Sequence, residues 1–255
     1  MQRIAIIGAG NLAWHLAPAL GRAGHEVAVF SRRGSFNLSW PVNVLHYDEL
    51  TGYRPTVVIL AVPDARITEV SSSLAARLPL TTTLIHTSGA TALKKLNPAF
   101  ANRGVIWPIR SLLKGEPILT WNDLPVAYQG SNKETTELVR GLVEELTFTS
   151  YELDSQQRAQ LHLAAVYSNN FVTWLYQVSY ELCEEKGIPF STLLPIIRNT
   201  AAKQKGYEPR LSQTGAAARG DQNTMTKHLK LLNGHPEWSR LYRLMSRLIQ
   251  EGLED

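Results

Sequence analysis

Short apolar runs rich in β-branched residues alternate with stretches of helical period over the first 152 residues. Residues 4–7 are wholly apolar and predict a buried strand, followed by a helix over 11–23. Residues 26–30 give the next expected strand and 43–45 a short third. The fourth, 56–62, is almost wholly apolar and begins after Pro55; the fifth covers 83–86 and the sixth 104–109. Two more, 125–128 and 149–153, flank a helix over 133–146. Continuous apolar strands separated by helices predict a mostly parallel sheet covered on both faces.

Beyond Asp154 the strand signal ends. Asp154 or Ser155 is placed to cap a helix that runs to Lys186 and stops at Gly187, with Pro189 beyond. Within it Leu161, Ala164, Ser168, Phe171, Leu175, Val178 and Leu182 recur at helical spacing. Shorter helices are expected over 191–205, 221–232 and 237–253. The change of period divides the chain into an α/β domain, residues 1–152, and an all-helical domain, residues 153–255.

The turn after the first strand carries the clearest chemistry. Gly8-Ala9-Gly10-Asn11-Leu12-Ala13 is a G-x-G-x-x-A run between a strand and a helix. The first glycine allows the tight turn, the second lets backbone approach a pyrophosphate, and Ala13 keeps the helix close to the sheet. The helix start, with Asn11 and Leu12, offers free N–H groups and a positive dipole end to phosphates. A doubly wound, Rossmann-type sheet is therefore expected in residues 1–152, which form the dinucleotide-binding domain. At the end of the second strand, where an NAD site has Asp or Glu, the residues are Ser31-Arg32-Arg33. No carboxylate there repels a 2′-phosphate, and two guanidiniums are available to bind one, so NADP(H) is the expected cofactor. Ala61-Val62-Pro63 ends the fourth strand and places backbone beside the nucleotide. His86-Thr87-Ser88-Gly89 does the same after the fifth, with His86 expected at the cofactor and Ser88 expected as a catalytic residue near the reacting ring.

Composition removes other classes. With 255 residues, 44% hydrophobic, and a formal net charge of +4, the chain is not a disordered one. The excess is divided evenly, +2 in each half, and the tightest basic clusters are the pairs Arg32-Arg33 and Lys94-Lys95. No nucleic-acid partner is expected from so diffuse a charge. The single cysteine, Cys183, permits no internal disulfide and fits a reducing compartment. The chain opens straight into its first strand, and the longest apolar run of the first half, 57–62, is too short for a bilayer. A cytoplasmic protein with no membrane partner is the expectation. There is no zinc-type Cys/His spacing and no G-x-S-x-G elbow, so neither a metal nor a serine nucleophile is expected.

On Gly8–Ala13, Ala61–Asp64 and the helical second half, the chain resembles the superfamily of 6-phosphogluconate and β-hydroxyacid dehydrogenases. More closely, three segments are similar to an uncharacterised bacterial family of NADP oxidoreductases with a Rossmann-like domain and a C-terminal domain of unknown function. They are His86-Thr87-Ser88-Gly89-Ala90, the ten residues from His162 to Phe171, and Thr214-Gly215-Ala216-Ala217-Ala218-Arg219-Gly220-Asp221 with His228 after it. The resemblance implies a site in the cleft between the two domains and a helical domain that often forms a dimer interface. It also has gaps. Many dehydrogenases of the superfamily carry a catalytic lysine four residues before an asparagine on the first long helix of the second domain. Here Ala165 and Val166 stand four residues before Asn169 and Asn170. Trp107 stands before Pro108, where many relatives of the closer family have histidine.

His162 is the expected replacement for the lysine. Seven residues return a helix nearly to the same face, so His162 and Asn169 share a stripe with Thr173 and Tyr176. A neutral imidazole there can relay a proton while Asn169 or Asn170 holds a carbonyl or imine. Trp107 and Arg110, at the end of the sixth strand, and Arg219 are the expected substrate-binding residues, the arginines for an anionic group. Asp221 is well placed simply as a helix N-cap. Three readings follow: an NADP(H)-dependent oxidoreductase for a small carbonyl or imine substrate, a non-catalytic NADP(H) sensor, and a deazaflavin-dependent NADP reductase. The long helix carries more apolar surface than a small helical domain covers, so a homodimer through the helical half is expected.

Overall fold

The central strands are apolar at every position because both faces of the sheet are covered. The computed structural model describes residues 1–32, 42–116, 118, 120–204, 206 and 208–254. Arg33, an expected cofactor residue, and Lys205, the expected end of a helix, lie outside that set. Eight strands form one sheet: β1 (Arg3–Ile7), β2 (Glu26–Ser31), β3 (Asn43–His46), β4 (Val57–Leu60), β5 (Thr83–His86), β6 (Arg103–Pro108), β7 (Val126–Gly130) and β8 (Ser150–Glu152). Their order is β3-β2-β1-β4-β5-β6-β7-β8. The first six reproduce the Rossmann strand order, with the direction of winding reversed between β1 and β4.

Alternation across the strands builds two cores. Ile4, Ile6, Val29, Val57, Ile59 and Ile85 pack under α1 (Asn11–Arg22) and α4 (Lys133–Glu144), whose Leu16, Leu20, Val139 and Leu142 are buried. Ala5, Ile7, Phe30, Val58, Leu60 and Leu84 pack under α2 (Leu50–Tyr53) and α3 (Ile67–Ala75), through Leu50, Ile67 and Leu74. Every strand pairing is parallel except β6 with β7. The connection from Pro108 to Val126 has no helix among its described residues, so it makes no crossover and β7 returns against β6.

A capping box starts α5 (Ser155–Ala165). Asp154 Oδ1 accepts the N–H groups of Gln156 and Gln157 at 2.7 and 2.8 Å, and Gln157 Oε1 accepts the Asp154 N–H at 3.0 Å. The helix expected to run unbroken to Lys186 is interrupted. A π-helical turn, Val166–Phe171, separates α5 from α6 (Val172–Glu184), and Gly187, at φ +64°, follows. The chain divides into two compact units, Met1–Asn170 and Phe171–Asp255. The last strand ends at Glu152 and α5 starts at Ser155, near the expected domain change at 152/153, but the first compact unit continues through α5 to Asn170.

The second unit holds α6, α7 (Leu194–Ala202), α8 (Gln222–Leu231) and α9 (Pro236–Glu254). Asp221 caps α8 through the Thr224 N–H at 3.0 Å and hydroxyl at 2.6 Å, and these bonds hold its carboxyl below the usual range. No helix among the described residues is long and apolar enough to cross a membrane.

Candidate functional site

The β1–α1 turn exists because Gly8 has no side chain. Gly8 adopts φ +112°, and a Cβ there would stand 2.4 Å from the Ala61 carbonyl oxygen. The turn can therefore lie flat against the end of β4. A Cβ on Gly10 would meet nothing within 4 Å, so open space faces the second glycine. No described side chain caps α1, and its first turn holds no acid. This leaves N–H groups and a positive helix end directed at that space.

The space is a cavity of about 530 Å³. Gly8, Gly10, Ser31, Arg32, Ala61, Val62 and Pro63 all line it, as expected from the sequence. Tyr47, Arg66, Glu69 and Ser73 line it as well and were not foreseen. Arg66, in the turn after Pro63, pairs with Glu69 at 2.8 Å. Tyr47 Oη lies 3.3 Å from Ser73 Oγ. Glycine backbone and a bare helix end stand at one side of the cavity, with Ser31, Arg32 and Arg66 also on its walls. Such a lining fits a dinucleotide. Asn11 and Leu12 do not line the cavity. Asn11 Oδ1 instead accepts the Lys114 N–H at 3.3 Å.

That bond is one of two pinning the segment after β6 onto α1. The other joins His15 Nε2 to the Leu113 carbonyl at 2.9 Å; burial, against that carbonyl and with help from the Arg110 guanidinium, lowers the His15 pKa. Beside this segment lies a second cavity, about 390 Å³, within the same compact unit. Trp107, Ile109, Arg110 and Ser111 line one side; His162, Ala165, Val166, Ser168, Asn169 and Asn170 line the other. The structure thus brings together five expected residues: Trp107, Arg110, His162, Asn169 and Asn170. The π-helical turn is what admits two successive asparagines, because it widens the helix where they stand. In sheet order the end of β6 lies two strands from the end of β4, about 10 Å along the same carboxyl edge.

The loop after β5 lies between the two. A Cβ on Gly89 would sit 2.5 Å from the Trp107 ring and 2.7 Å from His162 Cδ2, so only glycine lets these rings meet over it. Their centroids are 5.6 Å apart. Ser88 is buried, and its hydroxyl donates to Asp64 Oδ2 at 2.6 Å and accepts the Thr91 N–H at 2.9 Å. Its hydroxyl therefore ties the ends of β4 and β5 together. His86 lines neither cavity and is wholly buried; its Nδ1 accepts the Ser88 N–H at 3.2 Å. Burial first, then the Arg158 guanidinium, hold His86 down at about 3, against a smaller contribution from the Ala92 backbone. The ring is neutral at physiological pH.

Arg158 was not foreseen at all. It lies on α5 one turn before His162, is wholly buried, and donates to Gln129 Oε1 and the Thr91 carbonyl, both at 2.8 Å. Its Nε has no partner among the described residues. It clamps α5 to the β5 loop and to β7, and so fixes His162 over Gly89. Arg219 belongs to the second unit, where its N–H donates to the Gly215 carbonyl at 3.2 Å in the turn before α8. No group of three or more His, Cys, Asp or Glu among the described residues is placed to hold a metal ion.

Residues 2–109 match the Rossmann-like domain family, and residues 124–249 match a domain of unknown function, DUF2520. The solved structure of a "putative NADP oxidoreductase" from Bacteroides fragilis is 32% identical, covers 97% of this chain and 97% of its own, and superposes with a TM-score of 0.88. The chain belongs to this Rossmann-like DUF2520 family. A protein from Thermotoga maritima is 20% identical over 99% of this chain and 100% of its own, with a TM-score of 0.70. An imine reductase variant from Myxococcus stipitatus, solved with NAD+, is 14% identical over 100% of this chain and 94% of its own, with a TM-score of 0.66. These two share the fold. No curated protein matches the sequence.

Proposed function

We propose that this DUF2520 family member is an NADP(H)-dependent oxidoreductase acting on a small carbonyl or imine substrate. The observation that carries the reading is one cavity in which His162, Asn169, Asn170 and Arg110 converge, beside a glycine cleft built for a dinucleotide. The Bacteroides fragilis relative, named for NADP oxidoreductase activity, is consistent with it. A bound reduced nicotinamide supplies a hydride. The chain's own residues do the rest. Gly8, Gly10 and the start of α1 hold the pyrophosphate; Ser31, Arg32 and Arg66 hold the ribose phosphate end. Asn169 and Asn170 orient the carbonyl oxygen or imine nitrogen, and His162 delivers the proton to it. Trp107 closes one wall against water. The sensor reading draws on Ala165 and Val166, which line the cavity without a titratable group. His162 lines it too and supplies one, which favours catalysis.

NADPH binds more tightly than NADH by about ten- to a hundredfold, the worth of one charge-assisted phosphate contact, roughly 1.5–3 kcal/mol. Calorimetric titration of both nucleotides against the native chain and Arg32→Ala checks this. Equal affinities in the native chain sink it.

A homodimer through the helical half belongs to the same proposal. In the second unit only Met225 and Leu232 are buried among the described residues, while Trp174, Ile196, Leu211 and Leu231 are each more than half exposed. A helical unit with so little buried apolar surface needs a partner surface. Light scattering at micromolar concentration should report twice the chain mass, and a monomer would end this part of the reading.

A further inference from the structure

Arg110 gives the second cavity a fixed positive charge, and two primary amides, two hydroxyls and the His162 ring line it with no Asp or Glu among the described residues. Arg110 is exposed and pairs with no carboxylate among the described residues. Behind the wall, Arg158 adds a second guanidinium, buried and held by the neutral oxygens of Gln129 and Thr91. Asp154 is the one carboxylate that favours its charge, and burial outweighs it. A cationic surface left uncompensated in this way is arranged for an anion that the chain does not itself provide.

We propose that the substrate is a short carbonyl or imino carboxylate, its carboxylate on Arg110 and its reacting carbon toward His162 and the asparagines. This rests on the oxidoreductase reading and names the substrate class for that site. A cavity of about 390 Å³ has room for a small acid. One accessible guanidinium matches a single carboxylate, whose two oxygens meet its fork. A phosphate dianion would call for a second accessible cation, and Arg158 is buried.

The test compares pyruvate and 2-oxobutyrate with their neutral amides on the full chain. Binding is read by ligand-observed NMR with NADP+ present, and turnover by NADPH oxidation. The carboxylates should bind about tenfold or more tightly than the amides, the worth of a charge-assisted pair. Arg110→Gln should erase that preference, Arg110→Lys should retain part of it, and neither should change NADPH affinity. Carboxylates binding no better than amides, or a preference that survives in Arg110→Gln, overturns the proposal. Reduction of the neutral compounds alone overturns it too and leaves the oxidoreductase reading intact. Arg110-dependent carboxylate binding without any NADPH oxidation supports the anion site and overturns the oxidoreductase reading instead.

Discussion

Replacing His162 with glutamine lowers kcat by about two to four orders of magnitude, the usual worth of a positioned general acid or base, and leaves NADPH affinity unchanged. Apart from Arg110, His162 is the only titratable side chain among the described residues that line the second cavity. An arginine cannot give up its proton near neutral pH, so proton delivery falls to the imidazole. Ala165 and Val166 also line the cavity and have no proton to exchange. The ring is held from beneath by Gly89 and from the side by Trp107, and the buried Arg158 anchors the helix one turn earlier. Glutamine keeps hydrogen-bonding capacity and polarity while losing proton exchange, so the loss falls on kcat and not on KM. The pH dependence contributed by the imidazole disappears with it. Steady-state kinetics against pH, on the carbonyl compound the native chain reduces best, decide the matter. A variant within a few-fold of native kcat would remove His162 from the chemistry and leave proton delivery to another group or to water.

The elements that position this site were legible because they are written in apolar runs. Residues 4–7, 57–60 and 83–86 lie in strands buried on both faces, and such strands read plainly. The glycine turn and Ser31-Arg32 were legible because they obey backbone and charge rules that act locally. Trp107 and Arg110 could be placed with His162 once strand ends were known, since all the parallel strands deliver their carboxyl ends to one edge. What escaped depends on partners far along the chain. Arg158 reads as a solvated helix charge, the ordinary fate of arginine, and nothing local tells of Gln129 or Thr91 waiting to receive it. His86, expected beside the nicotinamide, sits instead wholly within the fold, because a strand-end position does not reveal depth. The antiparallel β6–β7 pair turned on a connection without a helix among its described residues, which hydrophobic pattern does not report. The π-helical turn was invisible to a uniform period of 100° per residue, and Thr173 and Tyr176, expected on the His162 stripe, lie beyond it in the second unit.

Acid should unfold the first unit through His86 well before most carboxylates protonate. The folded ring is held at about 3 by burial and by Arg158, whereas an unfolded histidine titrates near 6.5. Between those values the unfolded chain binds a proton that the folded chain refuses, so stability falls as pH falls through that window and is fully present above it. The geometry explains the refusal. Nδ1 accepts the Ser88 N–H, so protonating it would set donor against donor in a buried site beside a guanidinium. At 1.36 kcal/mol for each unit of displacement, the whole window is worth up to ~5 kcal/mol, and the stretch from pH 7 to pH 5 about 2 kcal/mol. His86→Asn keeps an acceptor for Ser88 and removes the titration. Urea unfolding at pH 7 and pH 5 should show the native chain losing about 2 kcal/mol more than this variant over the same step. The variant's own packing loss appears at both pH values and cancels from the comparison. Equal losses in the two chains would mean that His86 takes up its proton without unfolding the site, and that the Ser88 loop yields to it.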